Sequence, residues 1–206
     1  MKKKIIATLL LTTLLFAGCG QKESDTDIKP STEQGTQATD SAVSDEDNSS
    51  DSAEITSGET FSKLNTTDLD GNTVDSSIFA PNKITLVNAW NVGCTPCVNE
   101  IPELDKINKD YADKGAAVLG LYNDLGAGLS EEIRGQIKDI MDNANADYTQ
   151  LTLEGSLGTD PLIVNMMVFP TTYVVDSEGN ILETIQGSND YDGWKAVIDS
   201  YLSQMD

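Results

Sequence analysis

The apolar residues of this chain fall into three regimes. Ile5 to Phe16 is an apolar run broken only by threonines and preceded by Met1-Lys2-Lys3-Lys4. From Gly20 to about Glu59 large apolar side chains nearly vanish among Ser, Thr, Asp, Glu and Gln. From Thr60 onward they return in blocks whose period changes, and those blocks predict the elements of a folded domain. Phe61 to Thr67 and Thr73-Val74 flank Asp70-Gly71-Asn72, which predicts a hairpin. Ile84 to Ala89 is apolar without polar alternation, the pattern of a central strand buried on both faces. A helix is predicted to start at Thr95–Cys97 and run to about Lys114, kinked by Pro102. Val118 to Tyr122 reads as a second buried strand. Ser130 to Asn143 reads as a helix with Ile133, Ile137, Ile140 and Met141 on one face and Glu131 and Glu132 in its first turn. Asp147 to Leu153 predicts a short strand and Pro161 to Met166 a short helix. Thr172 to Val175 and Ile181 to Ile185 are strands joined by Asp176-Ser177-Glu178-Gly179-Asn180. The last helix begins near Asp190, with Trp194, Val197, Ile198, Tyr201 and Leu202 as its apolar stripe. This order implies an α/β sandwich with a mixed central sheet and helices on both faces.

The two earlier regimes place the domain. Ile5 to Phe16 is shorter than the roughly 20 apolar residues needed to span a bilayer. With its positive start it fits an export signal over residues 1–18. Its end, Leu15-Phe16-Ala17-Gly18-Cys19, resembles a bacterial lipobox, in which cleavage precedes a cysteine that is then acylated. Cys19 is therefore the expected lipidation site. Residues 19–59 lack the apolar surface to offset their ordering entropy, and read as an acidic tether. A coil of ~40 residues spans about 35 Å root-mean-square. Residues 60–206 suit a single domain with its own core. The chain has 34 acidic and 13 basic residues, a formal net charge of −21. That balance argues against nucleic acid or anionic lipid surfaces as partners.

The remaining cysteines form Cys94-Thr95-Pro96-Cys97, directly after the first buried strand. The pair would lie at the carboxyl end of a central strand, where open α/β sheets place their sites. A thiolate is the attacking species in disulfide exchange. At a helix N-terminus, unpaired N–H groups and the helix dipole stabilise such an anion on Cys94. Pro96 suits the first turn because its missing N–H is not needed there. Cys94 is thus the candidate nucleophile and Cys97, one turn in and less exposed, the resolving thiol. A zinc site normally takes four protein ligands, and this chain has no histidine and no second cysteine pair. An inert structural bridge closing so short a loop would stabilise little.

At these residues the chain resembles the thioredoxin-like superfamily, and within it the membrane-anchored TlpA/ResA-like branch. The resemblance is carried by Leu86-Val87-Asn88-Ala89-Trp90, Cys94-Thr95-Pro96-Cys97-Val98-Asn99-Glu100-Ile101-Pro102, and Val168-Phe169-Pro170-Thr171-Thr172-Tyr173. It implies a thioredoxin-like three-layer sandwich. It implies that Pro170 is cis and sits beside the dithiol, where the Phe169 backbone pairs with a substrate segment by strand addition. Glu100 matches a glutamate of this branch and is the candidate proton shuttle for the resolving thiol. Trp90 is expected to pack beside the dithiol and contribute to substrate binding. Gly93 departs from the family, which often has an aromatic residue there. No cofactor and no metal are implied.

The resulting expectation is an extracytoplasmic, lipid-anchored thiol–disulfide oxidoreductase on the bacterial cell membrane. It would reduce exported clients such as apocytochromes or methionine sulfoxide reductases and be recharged by a membrane thiol-transfer protein. Two alternatives stand beside it. A thiol peroxidase of the same fold would pair a Thr or Ser three residues before the cysteine with an arginine; here those positions offer Asn91 and the remote Arg134. A non-catalytic binding lipoprotein would use the cleft near Pro170 without redox turnover.

Overall fold

Residues 60–205 are described by a computed structural model. The leader, the tether and Cys19 lie outside the described residues. The hairpin forms where Asp70-Gly71-Asn72 predicts it: Asn65–Thr67 (β1) pairs antiparallel with Thr73–Asp75 (β2). Asp68 Oδ1 accepts the N–H groups of Asp70 and Asn72, and Gly71 takes φ +83°. The first strand is shorter than the Phe61–Thr67 run suggests. Phe61 and Leu64 are buried as core plugs instead, with the Leu64 N–H bonded to the Phe61 carbonyl in a turn.

The rest of the chain builds one mixed sheet. Ile84–Trp90 (β3) is buried at every position, and Thr95–Tyr111 (α1) follows it. The helix runs uninterrupted through Pro102, whose ring leaves the Val98 carbonyl without its usual donor. It ends three residues short of Lys114, in a 3-10 turn closed by Gly115 at φ +89°. Ala116–Tyr122 (β4) returns parallel to β3. Glu131–Ala144 (α2) is capped by Ser130, whose side chain accepts from the Ile133 N–H. Gln150–Leu151 (β5) adds a short parallel edge to β4, and Pro161–Val164 (α3) is a single turn. Thr171–Asp176 (β6) runs antiparallel to β3, Ile181–Gln186 (β7) antiparallel to β6, and Tyr191–Leu202 (α4) closes the chain. The strand order is β5-β4-β3-β6-β7.

Alternate residues of β3 feed two cores. Ile84, Leu86 and Trp90 pack with Ile101 and Leu104 of α1, Ile137 of α2 and Trp194 and Ile198 of α4. Val87 and Ala89 face the other way, onto Phe61, Phe79, Leu157 and Ile163. Helices do lie on both faces, but unequally: three long ones cover the first, while α3, a 3-10 turn over Ser76–Ile78 and the incoming chain cover the second. Each large apolar side chain fully buried here contributes about 1.5–3 kcal/mol. Trp194 and Ile198, both fully buried, thereby pin α4 across α1 and fix the geometry beneath the cysteines.

Candidate active site

Cys94 is placed by the turn that leaves β3. The Asn91 side chain accepts the Gly93 N–H at 3.0 Å, and the Asn91 carbonyl accepts the Cys94 N–H at 3.1 Å. Cys94 is then the N-cap of α1, and its Sγ accepts the Cys97 N–H at 3.3 Å. Pro96 occupies the first turn as expected. The two cysteines form a disulfide, their Cα atoms 5.3 Å apart. Cys94 is half-buried and Cys97 fully buried, so an approaching group meets Cys94 first. Once reduced, Cys94 keeps the N-terminal N–H groups and the positive end of the helix dipole beside its sulfur, which favours the thiolate. Gly93 has a local reason: a Cβ there would stand 3.3 Å from the Asn91 side-chain oxygen that caps the turn.

Glu100 lies one turn beyond Cys97 and is only 2 % exposed. Its Oε1 accepts from the Asn88 Nδ2 at 2.8 Å and its Oε2 from the Asn189 N–H at 3.1 Å. Burial pushes its carboxyl up to about 7, and the hydrogen bonds from Asn189 and Asn88 only partly oppose that rise. The indole N–H of Trp194 lowers it further, though it makes no hydrogen bond of full geometry. Asn88 also donates to Thr172 Oγ1 at 2.9 Å, while its Oδ1 is buried without a partner. At neutral pH this carboxyl is therefore poised between taking and giving a proton, on the same helix face as the buried cysteine.

The Phe169–Pro170 peptide is cis, and Pro170 is buried. Gly187 donates to the Pro170 carbonyl at 2.9 Å, whereas no hydrogen bond engages the Phe169 main chain among the described residues. The Phe169 side chain is half-buried and packs against the cluster that holds both cysteines. Trp90 packs in the cluster that holds both cysteines, but departs from the expectation of substrate contact. It is fully buried, its Nε1 donating to Gln150 Oε1 at 2.8 Å and its ring meeting Tyr122 edge-on at 5.5 Å, so it presents no surface to a substrate. Arg134, named in the peroxide-reducing alternative, instead donates to the Leu69 carbonyl and faces Glu131 and Glu154. No group of side chains suited to hold a metal ion occurs among the described residues.

Several partners of the site were not legible in the sequence. Asn189 contributes only its N–H, which every residue but proline could supply. Thr172 and Gln150 look like ordinary strand residues until the register brings them opposite Asn88 and beside Trp90.

A five-stranded mixed sheet, a cysteine pair closed as a disulfide at the start of the helix after its central strand, and a cis-proline before β6 define a thioredoxin-like thiol–disulfide oxidoreductase. The chain belongs to the redoxin family, whose model matches residues 49–201. It is 33% identical over 109 residues to the thioredoxin-like protein YneN of Bacillus subtilis, a match covering 53% of this chain and 59% of YneN. The chain thus spans less than two thirds of that relative. It is 23% identical over 144 residues to the thiol-disulfide oxidoreductase ResA of Bacillus anthracis, covering 68% of this chain and 72% of ResA. Among solved structures, a thiol:disulfide interchange protein of the thioredoxin family from Chlorobium tepidum superposes with a TM-score of 0.55. It has 21% identity over 68% of this chain and 92% of that one, a likeness of fold.

Proposed function

We propose that this protein reduces disulfides of exported proteins from a lipid anchor at Cys19 on the outer face of the bacterial cell membrane. The observation that carries the reading is the asymmetry of the pair: an approachable Cys94 on a helix cap, a sealed Cys97, and a buried carboxyl beside it whose proton affinity lies near neutrality. The Cys94 thiolate attacks one sulfur of a client disulfide; that S–S bond breaks and the client's other sulfur leaves as a thiolate. Glu100 takes the proton of the Cys97 thiol. The Cys97 thiolate then attacks the Cys94 sulfur, the mixed disulfide breaks, and the client departs with two electrons while Cys94–Cys97 closes. A dithiol donor at the membrane returns the pair to its reduced form by the reverse exchange.

The surroundings suit a polypeptide. The unpaired Phe169 main chain can take a strand-like client segment. Met167, 88 % exposed, and the half-exposed Val164 and Val168 offer it apolar contact. A cleft of about 610 Å3, large enough for a small molecule, lies elsewhere, between Asp68–Asp70 and α2, and neither cysteine lines it.

The direction of electron flow is tested by the equilibrium of the Cys94–Cys97 couple against glutathione and dithiothreitol. A potential near or below about −270 mV, thioredoxin's value, is expected. A value near −120 mV, like that of DsbA, would make the protein an oxidant and reverse the scheme. Anchoring is tested by Cys19→Ser, which should release the protein from the membrane fraction.

A further inference from the structure

Gly120, Gln150 and Trp90 come from three neighbouring strands and are fitted to one another. Gln150 of β5 stands opposite Gly120 of β4, and Gly120 stands opposite Asn88, two residues before Trp90 on β3. The Gln150 carboxamide crosses directly above Gly120. A Cβ at position 120 would lie 1.9 Å from its Oε1, 2.4 Å from its Cδ and 2.5 Å from its Nε2. No side chain fits at 120 while Gln150 keeps this position. Oε1 accepts the Trp90 indole N–H at 2.8 Å, and Nε2 donates to the Tyr148 carbonyl at 3.2 Å. The partners fix which way the amide faces, because an indole nitrogen only donates and a carbonyl only accepts.

This arrangement carries costs that a merely satisfied indole would not need. A glycine inside a strand gives up backbone order and side-chain packing. A long amide side chain, 5 % exposed, gives up rotamer freedom and hydration. What it secures is one orientation of one ring. Trp90 belongs to the packed cluster that holds Cys97 and Cys94, and the indole cannot tilt away without breaking a buried hydrogen bond.

We propose that Gln150 is a positioning residue of the redox site, locking the Trp90 ring as the wall behind the Cys94–Cys97 pair, with Gly120 admitting its amide. The inference rests on the dithiol being the working centre. A fixed wall keeps the Cys97 sulfur within bonding reach of Cys94, raising its effective concentration and favouring the closed disulfide. A loosened wall moves the equilibrium toward the dithiol.

Gln150→Met keeps length and removes both amide bonds. In the mature chain its dithiol–disulfide equilibrium against glutathione should shift about tenfold toward the dithiol, about 30 mV. Gly120→Ala, which expels the amide, should shift it the same way. An unchanged equilibrium in a folded Gln150→Met, with only the melting temperature lowered, overturns the proposal. Gln150→Glu decides the matter if the methionine variant fails to fold. Protonated, that glutamic acid offers a carbonyl oxygen to Trp90 and an O–H to the Tyr148 carbonyl, matching glutamine; ionised, it can still accept from Trp90 but loses its donor and sets a carboxylate against the Tyr148 carbonyl, which drives the side chain out of this position and frees the ring. Its equilibrium should track the parent at pH 5 and depart from it toward pH 9. An equilibrium that tracks the parent throughout overturns the proposal. The parent's own turnover of a model disulfide is read first, and its absence would sink the oxidoreductase reading rather than the role of Gln150.

Discussion

The carboxamide of Asn88 donates to Oε1 of Glu100 at 2.8 Å, tying the central strand to the second turn of the helix that carries the dithiol. With the Asn189 N–H on the other oxygen, it holds a carboxyl that burial has pushed up from 4.5 to about 7. Below about pH 4.5 this group is neutral in both folded and unfolded chains and changes nothing. Between there and about pH 7 the unfolded chain ionises first, so the folded state loses stability as pH rises. Above pH 7 the penalty is complete, on the order of 3 kcal/mol. Glu100→Gln should abolish this slope between pH 5 and 8 in denaturant titrations. The same variant should slow resolution of the mixed disulfide near pH 7, measured by single-turnover release of client thiol. A resolution rate equal to the parent's would remove Glu100 from the proton path.

Asn88→Asp would set a second carboxyl against Glu100. Two carboxylates at hydrogen-bond distance cannot both ionise freely, so the pair would titrate in two separated steps with the upper one above 7. The variant should lose more stability than the parent between pH 5 and 8, by roughly 1–3 kcal/mol. Its resolution profile should move to higher pH. Melting curves across that range are the check, and parallel parent and variant curves would show that the two side chains do not sense each other's charge.

Cys94→Ser should eliminate turnover of a model disulfide. Cys97→Ala should still attack but accumulate as a covalent adduct with the client, visible as a mass increase that dithiothreitol removes. Normal turnover by Cys97→Ala would contradict the two-step exchange.

Most of the fold could be read from the chain because its strongest signals are local. The apolar run at Ile84–Trp90, the Cys94–Pro96 helix start and the Asp70-Gly71 and Gly179-Asn180 turns each act within a few residues. What escaped depends on register and on competition for the core. Ile133 and Ile140 share the apolar face of α2, yet only Ile137 and Met141 are buried. The resemblance implies a substrate contact at Trp90; its burial depends on core packing and on a hydrogen bond to Gln150, sixty residues away in sequence, that no local pattern announces. The resemblance singles out Glu100 in the sequence, but its burial and its bonds to Asn88 and Asn189 depend on the packing of α4 and appear only in the fold.

Gly179 makes a separate claim on stability. It sits in the β6–β7 turn at φ +86°, and a Cβ there would come within 2.6 Å of the Ser62 nitrogen and 2.8 Å of the Phe61 carbonyl carbon. Gly179→Ala combines a left-handed backbone with a collision against main chain. It should destabilise the domain by about 2–4 kcal/mol, read by chemical denaturation. A loss under ~0.5 kcal/mol would mean the incoming segment does not pack on that turn.

Cys94 ends as two things at once, the reactive atom and the start of a helix. In the disulfide the Cys94 sulfur accepts the Cys97 N–H, and a sulfur bonded to a client or free as a thiolate retains the lone pairs for the same role. The frame therefore meets the same terminus in every chemical form of the cycle. Bonds can be exchanged at that position without the surrounding chain having to be rebuilt between one client and the next.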